Sequence, residues 1–311
     1  MTIITVRDEA HWHTLRAMHI GGSDTAALFG LSPYTSKWQL WMEKAGKLPP
    51  EDLSDNMAVQ AGKFLEAGIA NWAASKWGMT ISKVEEYHAA GDVIGMGATL
   101  DYADDKGRPV EIKWSARGTG WEYSGEDITQ APDNYLLQCQ HQMACYGGDA
   151  AWLIALIDNE PRRLLVPRSE EIIESIKSSC VEFWFSIQGN TPPDPDFSMD
   201  SGAISRMIGQ IPITDVSLGA ENEELFNRYI KAAEAEKAAS AEKDATKAEL
   251  LLKASEAMAL LNTSSDKAVV RCGERKMSIS KVADNPGKAV TQDMVGTMVG
   301  ARKGYQTVRV S

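Results

Sequence analysis

The sequence predicts an α/β (α+β) protein with a mixed central sheet flanked by helices. Apolar runs of strand length occur at residues 151–158 and 162–167, and long helical patterns occupy residues 56–77 and 169–187. Strands and helices that alternate along a chain pack as layers around one core. With 311 residues and 43% hydrophobic side chains, the chain can bury one sizeable core and carry a smaller second module.

The first elements are predicted to be helical. Asp8 can cap a short helix that contains Arg16, and Ser23 can cap a second helix that ends at Phe29, before Gly30. Two glycines precede Ser23. Because a helix start with a hydroxyl and a flexible backbone can also bind a phosphate, Ser23 is a candidate ligand as well as a candidate cap.

Two further helices follow. Residues 33–46 predict a helix that packs on the core, and residues 56–77 predict a long helix that Gly78 ends. Glu66 lies in the long helix, where it would add a carboxylate to a metal site if it faced the hairpin that follows. Helical spacing predicts the buried stripe of the long helix, which consists of Phe64, Leu65, Ile69, Trp72 and Ala73.

Strand patterns occupy the next stretch. Residues 80–88 alternate enough to predict a strand, and residues 93–96 lead into a β-hairpin over residues 99–113. The hairpin is predicted because two apolar-rich runs flank a turn-forming cluster at residues 104–107.

The hairpin brings two carboxylates and one ammonium group together. Asp101 lies on its first arm, and Glu111 and Lys113 share one face of its second arm, while Ile112 points to the other face. Carboxylates suit Mg²⁺ or Mn²⁺, and the Ile112 carbonyl can supply another oxygen. A metal that activates water beside Lys113 is the machinery of a metal-dependent phosphodiesterase. A surface hairpin with an exposed salt bridge is the alternative interpretation.

A glycine-rich, polar segment at residues 118–130 predicts a mobile loop beside the site. A helix then opens at residues 132–134 and carries Tyr135, Gln138 and Gln142 on one face. Polar groups on an inner helix face need partners, which a scissile phosphate or a metal-bound water would provide. A helix edge in water is the alternative.

Charge and cysteine usage limit the function classes. The net charge is −11 and the sequence pI is about 5.0, so DNA binding would need basic contacts concentrated in a groove rather than a basic coat. The four cysteines form no CxxC pair, which argues against a zinc ribbon or a disulfide framework and favours a reducing cytoplasm. No signal pattern and no apolar run long enough to span a bilayer is present.

The last third of the chain predicts a separate module. Residues 221–261 are rich in Ala, Glu and Lys, which favours a long helix or helical hairpin. Residues 267–282 predict a β-hairpin and residues 305–310 a final strand. Because prolines cluster at residues 192–195, the core is expected to end there. The predicted organisation is a core domain (1–200), a linker (201–220) and a module (221–311) for oligomer, DNA or partner contact.

Six motifs occur in a characteristic order over residues 8–187. They are Trp12-His13-x-Leu15-Arg16, Gly22-Ser23, Gly62-Lys63-x-x-Glu66, Thr99-Leu100-Asp101, Glu111-Ile112-Lys113 and Tyr135-x-x-Gln138-x-Gln140. In this order they resemble the bacteriophage lambda exonuclease and YqaJ-type viral recombinase nucleases of the PD-(D/E)xK superfamily. The sequence departs from the superfamily pattern at Leu100, which stands where the leading proline would be.

The resemblance implies a role for each matched residue. Asp101, Glu111 and the Ile112 carbonyl would bind Mg²⁺, with Mn²⁺ as a possible substitute. Glu66 would help to hold the metal or its waters, and Lys113 would act on the attacking water.

The remaining matched residues would contact the substrate. Gln138 and Tyr135 would position the active-site groups or the scissile phosphate. Arg16 and Ser23 would grip the 5′-phosphate of a DNA end.

The resemblance also implies an activity and partners. It implies a Mg²⁺-dependent 5′-to-3′ exonuclease of double-stranded DNA, acting in phage-type homologous recombination by single-strand annealing. It also implies a homo-oligomer in the form of a trimeric ring and a single-strand annealing protein as partner. The implied location is the cytoplasm of a bacterial host, with the gene encoded by a phage or prophage. The alternatives are a DNA endonuclease on the same fold and a DNA-end-binding scaffold with a decayed metal site. The intact Asp101, Glu111 and Lys113 argue against decay.

Overall fold

The computed structural model describes residues 2–116, 118–212, 214–260 and 267–280. The chain divides into two compact units, Met1–Pro212 and Ile213–Ser311. The strand predicted at residues 305–310 lies outside the described residues, as do the last two residues of the hairpin predicted to end at residue 282.

Helices and strands alternate in the first unit, as predicted. Its helices are α1 (Glu9–Met18), α2 (Thr25–Leu28), α3 (Lys37–Lys44), α4 (Met57–Trp77), α5 (Asp133–Tyr146), α6 (Glu170–Gln188) and α7 (Ser201–Ile208). Its strands are β1 (Thr2–Ile4), β2 (Ile81–Lys83), β3 (Tyr87–Ala89), β4 (Gly97–Thr99), β5 (Tyr102–Asp104), β6 (Pro109–Ser115), β7 (Glu122–Ser124), β8 (Asp127–Gln130), β9 (Ala150–Ile157) and β10 (Glu160–Pro167).

The strands form two sheets. The large sheet has seven strands in the order β2-β5-β6-β9-β10-β8-β7, and the small sheet has the order β1-β3-β4. In the large sheet, β6 is parallel to β9 and β10 is parallel to β8, whereas the other neighbouring pairs are antiparallel. The predicted mixed sheet flanked by helices is therefore confirmed.

The β5–β6 hairpin is present at the predicted place. Its turn contains Gly107 at a φ of +73°, a left-handed conformation that glycine adopts without strain. The carboxylate of Asp104 accepts hydrogen bonds from the backbone N–H groups of Lys106 (3.0 Å) and Arg108 (2.9 Å). The turn residues thus hold the two arms in register.

The single strand predicted over residues 80–88 is wrong. Its first part is β2, which pairs with β5 of the large sheet, and its second part is β3, which pairs with β1 and β4 of the small sheet. Alternation along a chain signals extended backbone but does not say which partner the backbone takes.

The N-terminal helices agree with the sequence except at Ser23. Asp8 caps α1 by accepting a 2.7 Å hydrogen bond from the His11 N–H. The predicted second helix is instead a 3₁₀ turn (Gly22–Asp24) followed by the single turn α2. Ser23 lies inside the 3₁₀ turn, and the role of helix cap predicted for it is wrong.

Helix α4 has the predicted ends but a different buried face. Asn56 caps its first turn and Gly78 ends it at a φ of +62°. Its buried residues are Ile69, Ala70 and Ala73, whereas Phe64 is 85% exposed. Leu65 and Trp72 are exposed as well, so only part of the predicted stripe is correct. Small side chains let α4 approach the large sheet closely, and the larger side chains lie outside that contact.

The mobile loop predicted at residues 118–130 is also wrong for most of its length. Residues 122–130 contain β7 and β8, which form the edge of the large sheet. Trp121 and Ile128 are buried there, and this apolar contact anchors the polar edge hairpin.

The compact first unit continues past the predicted core end at residue 200. Helix α7 packs Ala203 against Trp38 and Leu48. The buried Asp200 accepts a 2.5 Å hydrogen bond from the Ser36 hydroxyl. These contacts return the chain to the core after its proline-rich segment.

The second unit contains the elements expected from composition. They are helix α8 (Glu223–Leu260) and a β-hairpin of β11 (Lys267–Cys272) and β12 (Arg275–Ser280). The long segment is one helix rather than a helical hairpin. Of the helices that the structure describes, none is both long and apolar enough to cross a bilayer.

Candidate active site

Strand β6 presents its polar side chains to α5 and its apolar side chains to α4. Ile112 is buried in a cluster with Ile69 and Ala73 of α4. Glu111 points the other way and receives hydrogen bonds from α5. The strand lies between β5 and β9 in the large sheet, so the charged residues sit on a rigid support.

Asp101 lies just before β5, beside the segment of β6 that carries Glu111 and Lys113. Its Oδ2 accepts a 2.9 Å hydrogen bond from the Ile112 N–H. Burial and the neighbouring Glu111 carboxylate raise the pKa of Asp101 to about 8, although the Lys113 ammonium opposes this shift. Two carboxylates therefore lie close together where water solvates them poorly.

Lys113 is the cation of this cluster. Its Nζ contacts Oε1 of Glu111. Burial by itself would lower the pKa of Lys113, but the carboxylates of Glu111 and Asp101 outweigh burial and raise that pKa above its usual value. The Nζ also lies 5.2 Å from the centroid of the Tyr135 ring, which is within reach of a cation–π contact.

Glu111 is held from α5 by two glutamines. It is 1% exposed. Its Oε1 accepts a 2.6 Å hydrogen bond from Gln138 Nε2, and its Oε2 accepts a 2.5 Å hydrogen bond from Gln142 Nε2. Gln138 was predicted to belong to the site; Gln142 was predicted to share its helix face but was not included among the site residues.

Tyr135 is fixed by aromatic neighbours. Its ring stacks on Trp121 at a centroid distance of 5.4 Å and an interplanar angle of 24°. Burial, and then the neighbouring Tyr34 hydroxyl, raise the pKa of Tyr135 to about 12, so the phenol is neutral near pH 7.

Glu66 reaches the site from α4. It accepts a 3.3 Å ion-paired hydrogen bond from Lys83 of β2. Glu66, Lys83 and Asp101 line one cavity of about 470 Å³, together with Arg7 and Trp12 from the N-terminal segment. The cavity gives solvent-sized molecules access to the Asp101 carboxylate.

The donor chemistry fits a hard divalent cation. Among the described residues, no group of three or more His, Cys, Asp or Glu side chains has an arrangement that could hold a metal ion. Asp101 and Glu111 nevertheless supply two closely spaced carboxylates, and Lys113 is one cation against them. Burial, and then the neighbouring Glu111 carboxylate, raise the pKa of Asp101, and a divalent cation bound between the two carboxylates would favour their ionised forms.

Arg16 and Ser23, the predicted phosphate ligands, lie together. Arg16 Nη2 donates a 3.3 Å hydrogen bond to the Ser23 hydroxyl and lies 3.5 Å from Asp24 Oδ1. The guanidinium carbon of Arg16 also lies 4.9 Å from the centroid of the Trp12 ring. Arg16 is thus held at one side of the 3₁₀ turn.

The largely buried side chain of Lys44 joins α3 to the 3₁₀ turn and to the end of α1. Lys44 Nζ lies 2.9 Å from Asp24 Oδ2 and donates hydrogen bonds to the carbonyls of Arg16 (2.6 Å) and His19 (2.8 Å). Burial would raise the pKa of Asp24, but Lys44 and Arg16 outweigh burial and lower it. Sequence reasoning missed both Lys44 and Asp24, since nothing in their local spacing signals the contact.

Gln140, which belongs to the matched motifs, is not at the site. Gln140 bonds to the Pro167 carbonyl (2.8 Å) and to the Ser169 N–H (2.9 Å), where it joins α5 to the start of α6. Gln142, by contrast, could have been found from sequence, because residues four apart on a helix share a face.

Comparison with known proteins agrees with these motifs. Residues 11–149 match the model of the YqaJ-like viral recombinase domain. Over these residues the chain is similar to that family. The resemblance predicted from the motifs is confirmed over this range, and with it the expectation that the chain is a nuclease.

Similarity to the YqaJ-like domain extends to a curated relative and to solved structures. The uncharacterized protein YqaJ of Bacillus subtilis (strain 168) is 25% identical over 233 residues, which cover 72% of this chain and 70% of the relative. The alkaline exonuclease LHK-Exo from Laribacter hongkongensis aligns with a TM-score of 0.45 and 16% identity, over 63% of this chain and 98% of that chain. Its complex with dAMP aligns over the same shares with a TM-score of 0.46 and 15% identity.

Proposed function

We propose that this protein is a Mg²⁺-dependent 5′-to-3′ exonuclease of double-stranded DNA that prepares ends for recombination by single-strand annealing. The observation that carries the proposal is the cluster of Asp101, Glu111 and Lys113 beside an open cavity, within a YqaJ-like domain. Two carboxylates and a lysine in this arrangement suit the hydrolysis of a phosphodiester.

Each residue of the cluster has a distinct task in this proposal. Asp101, Glu111 and the Ile112 carbonyl would hold Mg²⁺, or Mn²⁺ in its place, and Glu66 would hold the metal or its waters. The cation would polarise the phosphate and lower the pKa of a water molecule. Lys113 orients the attacking water and stabilises the negative charge that develops on the phosphate oxygens.

The residues of α5 keep the cluster in place. Gln138 holds the Glu111 carboxylate through its 2.6 Å hydrogen bond. Tyr135 covers Lys113 and is itself fixed by stacking on Trp121. A neutral phenol above the ammonium keeps that cation oriented without removing its charge. Both α5 residues therefore position active-site groups or the scissile phosphate.

The Arg16–Ser23 pair makes the enzyme prefer DNA ends that carry a 5′-phosphate. A guanidinium group and a hydroxyl 3.3 Å apart are suitable ligands for a terminal 5′-phosphate. Asp24 neutralises only part of the local positive charge, because Lys44 and Arg16 both lie beside it. An anion can therefore bind there with favourable electrostatics.

Digestion of end-labelled DNA tests the proposal. Linear duplex DNA labelled at the 5′ or the 3′ end is incubated with the full chain and Mg²⁺ or EDTA, beside a closed circular duplex. Mg²⁺-dependent release of the 5′ label from linear DNA, with the circle intact, is the expected result. Nicking of the circle would instead support the endonuclease alternative. Binding to DNA ends with no hydrolysis in Mg²⁺ or Mn²⁺ would support the scaffold alternative.

The partners follow from the same proposal. We expect the chain to act on DNA ends in the bacterial cytoplasm, as a trimeric ring together with a single-strand annealing protein. The predicted C-terminal module at residues 221–311 is expected to contribute oligomer, DNA or partner contacts. Removing residues 215–311 should therefore change at least one of three measured properties: oligomer mass, processivity or binding of the annealing protein. No change in any of them would refute this role.

A further inference from the structure

We propose that Gln142 is a positioning residue that holds the Oε2 atom of the Glu111 carboxylate and so strengthens binding of a divalent cation. The inference rests on the proposed metal-dependent function. It concerns a residue that the six sequence motifs do not contain.

The contact itself is the first argument. The two oxygens of Glu111 are held by different partners: Oε1 by Lys113 and Gln138, and Oε2 by Gln142 at 2.5 Å. Without Gln142, Oε2 has no hydrogen-bond donor among the side chains that the structure describes, and rotation of the carboxylate group is less restricted. A metal ligand whose plane is already fixed loses less freedom when the metal binds.

The orientation of the Gln142 amide follows from charge. An ionised carboxylate can only accept hydrogen bonds, so the NH₂ group of Gln142 must face Glu111. The Oε1 of Gln142 then points away, and it is buried without a hydrogen-bond partner among the described residues. A buried carbonyl without a donor costs stability, and this cost partly offsets the gain from the bond between Gln142 and Glu111.

The surroundings keep Gln142 in this place. Gln142 is 1% exposed. The position of a Cβ on Gly22 would lie 3.7 Å from Gln142 Cγ and 3.1 Å from Gln138 Cγ. The 3₁₀ turn therefore packs directly against both glutamines and limits their movement. Because a close-packed side chain keeps one rotamer, the amide is presented to Glu111 in a single orientation.

Gln140 provides a matched control. It lies on the same helix and is 4% exposed, and both polar atoms of its side chain are hydrogen-bonded to the segment before α6. Gln140→Met and Gln142→Met thus remove the same amide from the same helix. Only Gln142→Met removes a bond to Glu111.

Cation binding in the absence of DNA tests the inference. The full chain and its two Met variants are titrated with Mn²⁺ by calorimetry, and their thermal unfolding is followed with and without Mn²⁺. For Gln142→Met we expect the Kd for Mn²⁺ to rise about 10- to 100-fold, as is usual when a group that orients a metal ligand is removed. For Gln140→Met we expect the Kd to change less than about twofold, since all Glu111 contacts remain.

Stability is measured beside affinity, because both variants lose hydrogen bonds but only one of them loses a contact to Glu111. Without metal, Gln142→Met should unfold at a lower temperature than the parent chain, because the buried Glu111 Oε2 loses its donor. Gln140→Met should unfold at a lower temperature, because two satisfied hydrogen bonds are lost. Gln142→Asn, whose shorter amide cannot reach Glu111 from the same backbone, should show the same loss of Mn²⁺ affinity if the Met variant fails to fold.

The outcomes are distinguishable. If the parent chain binds Mn²⁺ and both Gln142 variants bind it equally well, the positioning role is refuted while the proposed nuclease function stands. If the parent chain binds no Mn²⁺ at any concentration at which it is folded, the metal-dependent function itself is refuted, and the role of Gln142 with it.

Discussion

The backbone N–H of Ile112 donates a 2.9 Å hydrogen bond to the side chain of Asp101. This bond joins the carboxylate that precedes β5 to the middle of β6, between Glu111 and Lys113. The distance between the two carboxylates of the cluster therefore depends on strand pairing rather than on a flexible loop.

Asp101→Asn should separate chemistry from folding. Asparagine keeps an oxygen that can accept from the Ile112 N–H, but it removes the charge that repels Glu111. We expect the free energy of unfolding to stay within about 1 kcal/mol of the parent value or to increase. We expect DNA hydrolysis in Mg²⁺ to fall about 1,000-fold. Urea unfolding and digestion of linear duplex DNA measure the two effects.

Asp104→Asn is the control for this change. Asp104 lies three residues further on, in the hairpin turn, where it pairs with Arg108 and accepts two backbone hydrogen bonds. Its substitution should lower stability and leave hydrolysis by the folded protein nearly unchanged. An Asp101→Asn protein with parental activity would contradict the role of Asp101.

Arg16→Gln should change end preference rather than hydrolysis. The variant removes the guanidinium group beside Ser23 and leaves the Asp101 cluster intact. Loss of a charge-assisted hydrogen bond to phosphate should slow digestion of 5′-phosphorylated ends about 10- to 100-fold, with little effect on 5′-hydroxyl ends. Arg7→Gln, also beside the N-terminal helix but without contact to Ser23, serves as control. Retention of the preference for phosphorylated ends by Arg16→Gln would rule out the assignment.

Gly22→Ala tests the packing between the 3₁₀ turn and α5. The added methyl group would lie 3.1 Å from Gln138 Cγ, closer than a normal carbon contact, so the Gln138 side chain, which bonds Glu111, must shift by a few tenths of an ångström. We expect digestion at saturating Mg²⁺ to slow about 10-fold, since small displacements of positioning groups are costly. Gly21→Ala is the matched control, because its added methyl group would make its nearest contact at 3.5 Å, to Asp24. Equal rates for both variants would show that the contact is unimportant.

Lys44→Met should destabilise the first unit. Lys44 is the closest cation to the largely buried Asp24 carboxylate and also bonds two backbone carbonyls. Removing one partner of a buried ion pair leaves the other charge poorly compensated, so we expect a loss of about 3 kcal/mol in the free energy of unfolding. Lys47→Met, at an exposed position on the same segment, should cost less than about 1 kcal/mol. Urea unfolding that shows equal losses would contradict this difference.

His141 should make stability depend on pH. It is buried between the Thr25 hydroxyl (2.8 Å) and the Gly97 carbonyl (3.0 Å), and burial lowers its pKa to about 4. The unfolded chain binds a proton near pH 6.5, whereas the folded chain does so only near pH 4. This contribution is therefore fully present above pH 6.5 and is lost as the pH falls toward 4, by about 3 kcal/mol in total.

The slope of stability against pH tests this prediction. In His141→Gln, the free energy of unfolding should fall less steeply between pH 6.5 and 4 than in the parent chain. A residual slope is expected from His88, whose pKa burial also lowers. Identical slopes in the two proteins would show that His141 is not held neutral in the fold.

Local rules were sufficient for the hairpin. Asp101, Glu111 and Lys113 lie within 13 residues of one another in sequence, so strand alternation and a turn containing Gly107 are enough to bring them together. The same is true of the N-cap of α1 at Asp8, because a helix cap depends on neighbouring residues only. Periodicity of this kind is a short-range property, and it can be read without knowing the rest of the fold.

Contacts between distant segments could not be predicted in this way. Helical spacing placed Gln138 and Gln142 on one face, but it did not show that this face meets Glu111. In α4, the same spacing favoured Phe64 over Ala70 as a buried residue, and the structure shows the reverse. Which side of a helix packs on a sheet depends on the shape of both partners, and hydrophobicity reports only one.

The order of the elements, the charged hairpin and the family resemblance of the motifs could be read from the amino-acid sequence, because these depend on residues close together or on their order along the chain. The pairing of Lys44 with Asp24 and the bond from Gln142 to Glu111 became visible in the folded chain. Those pairs join segments separated by 20 and 31 positions. Their contact results from packing of whole elements, for which no local pattern exists.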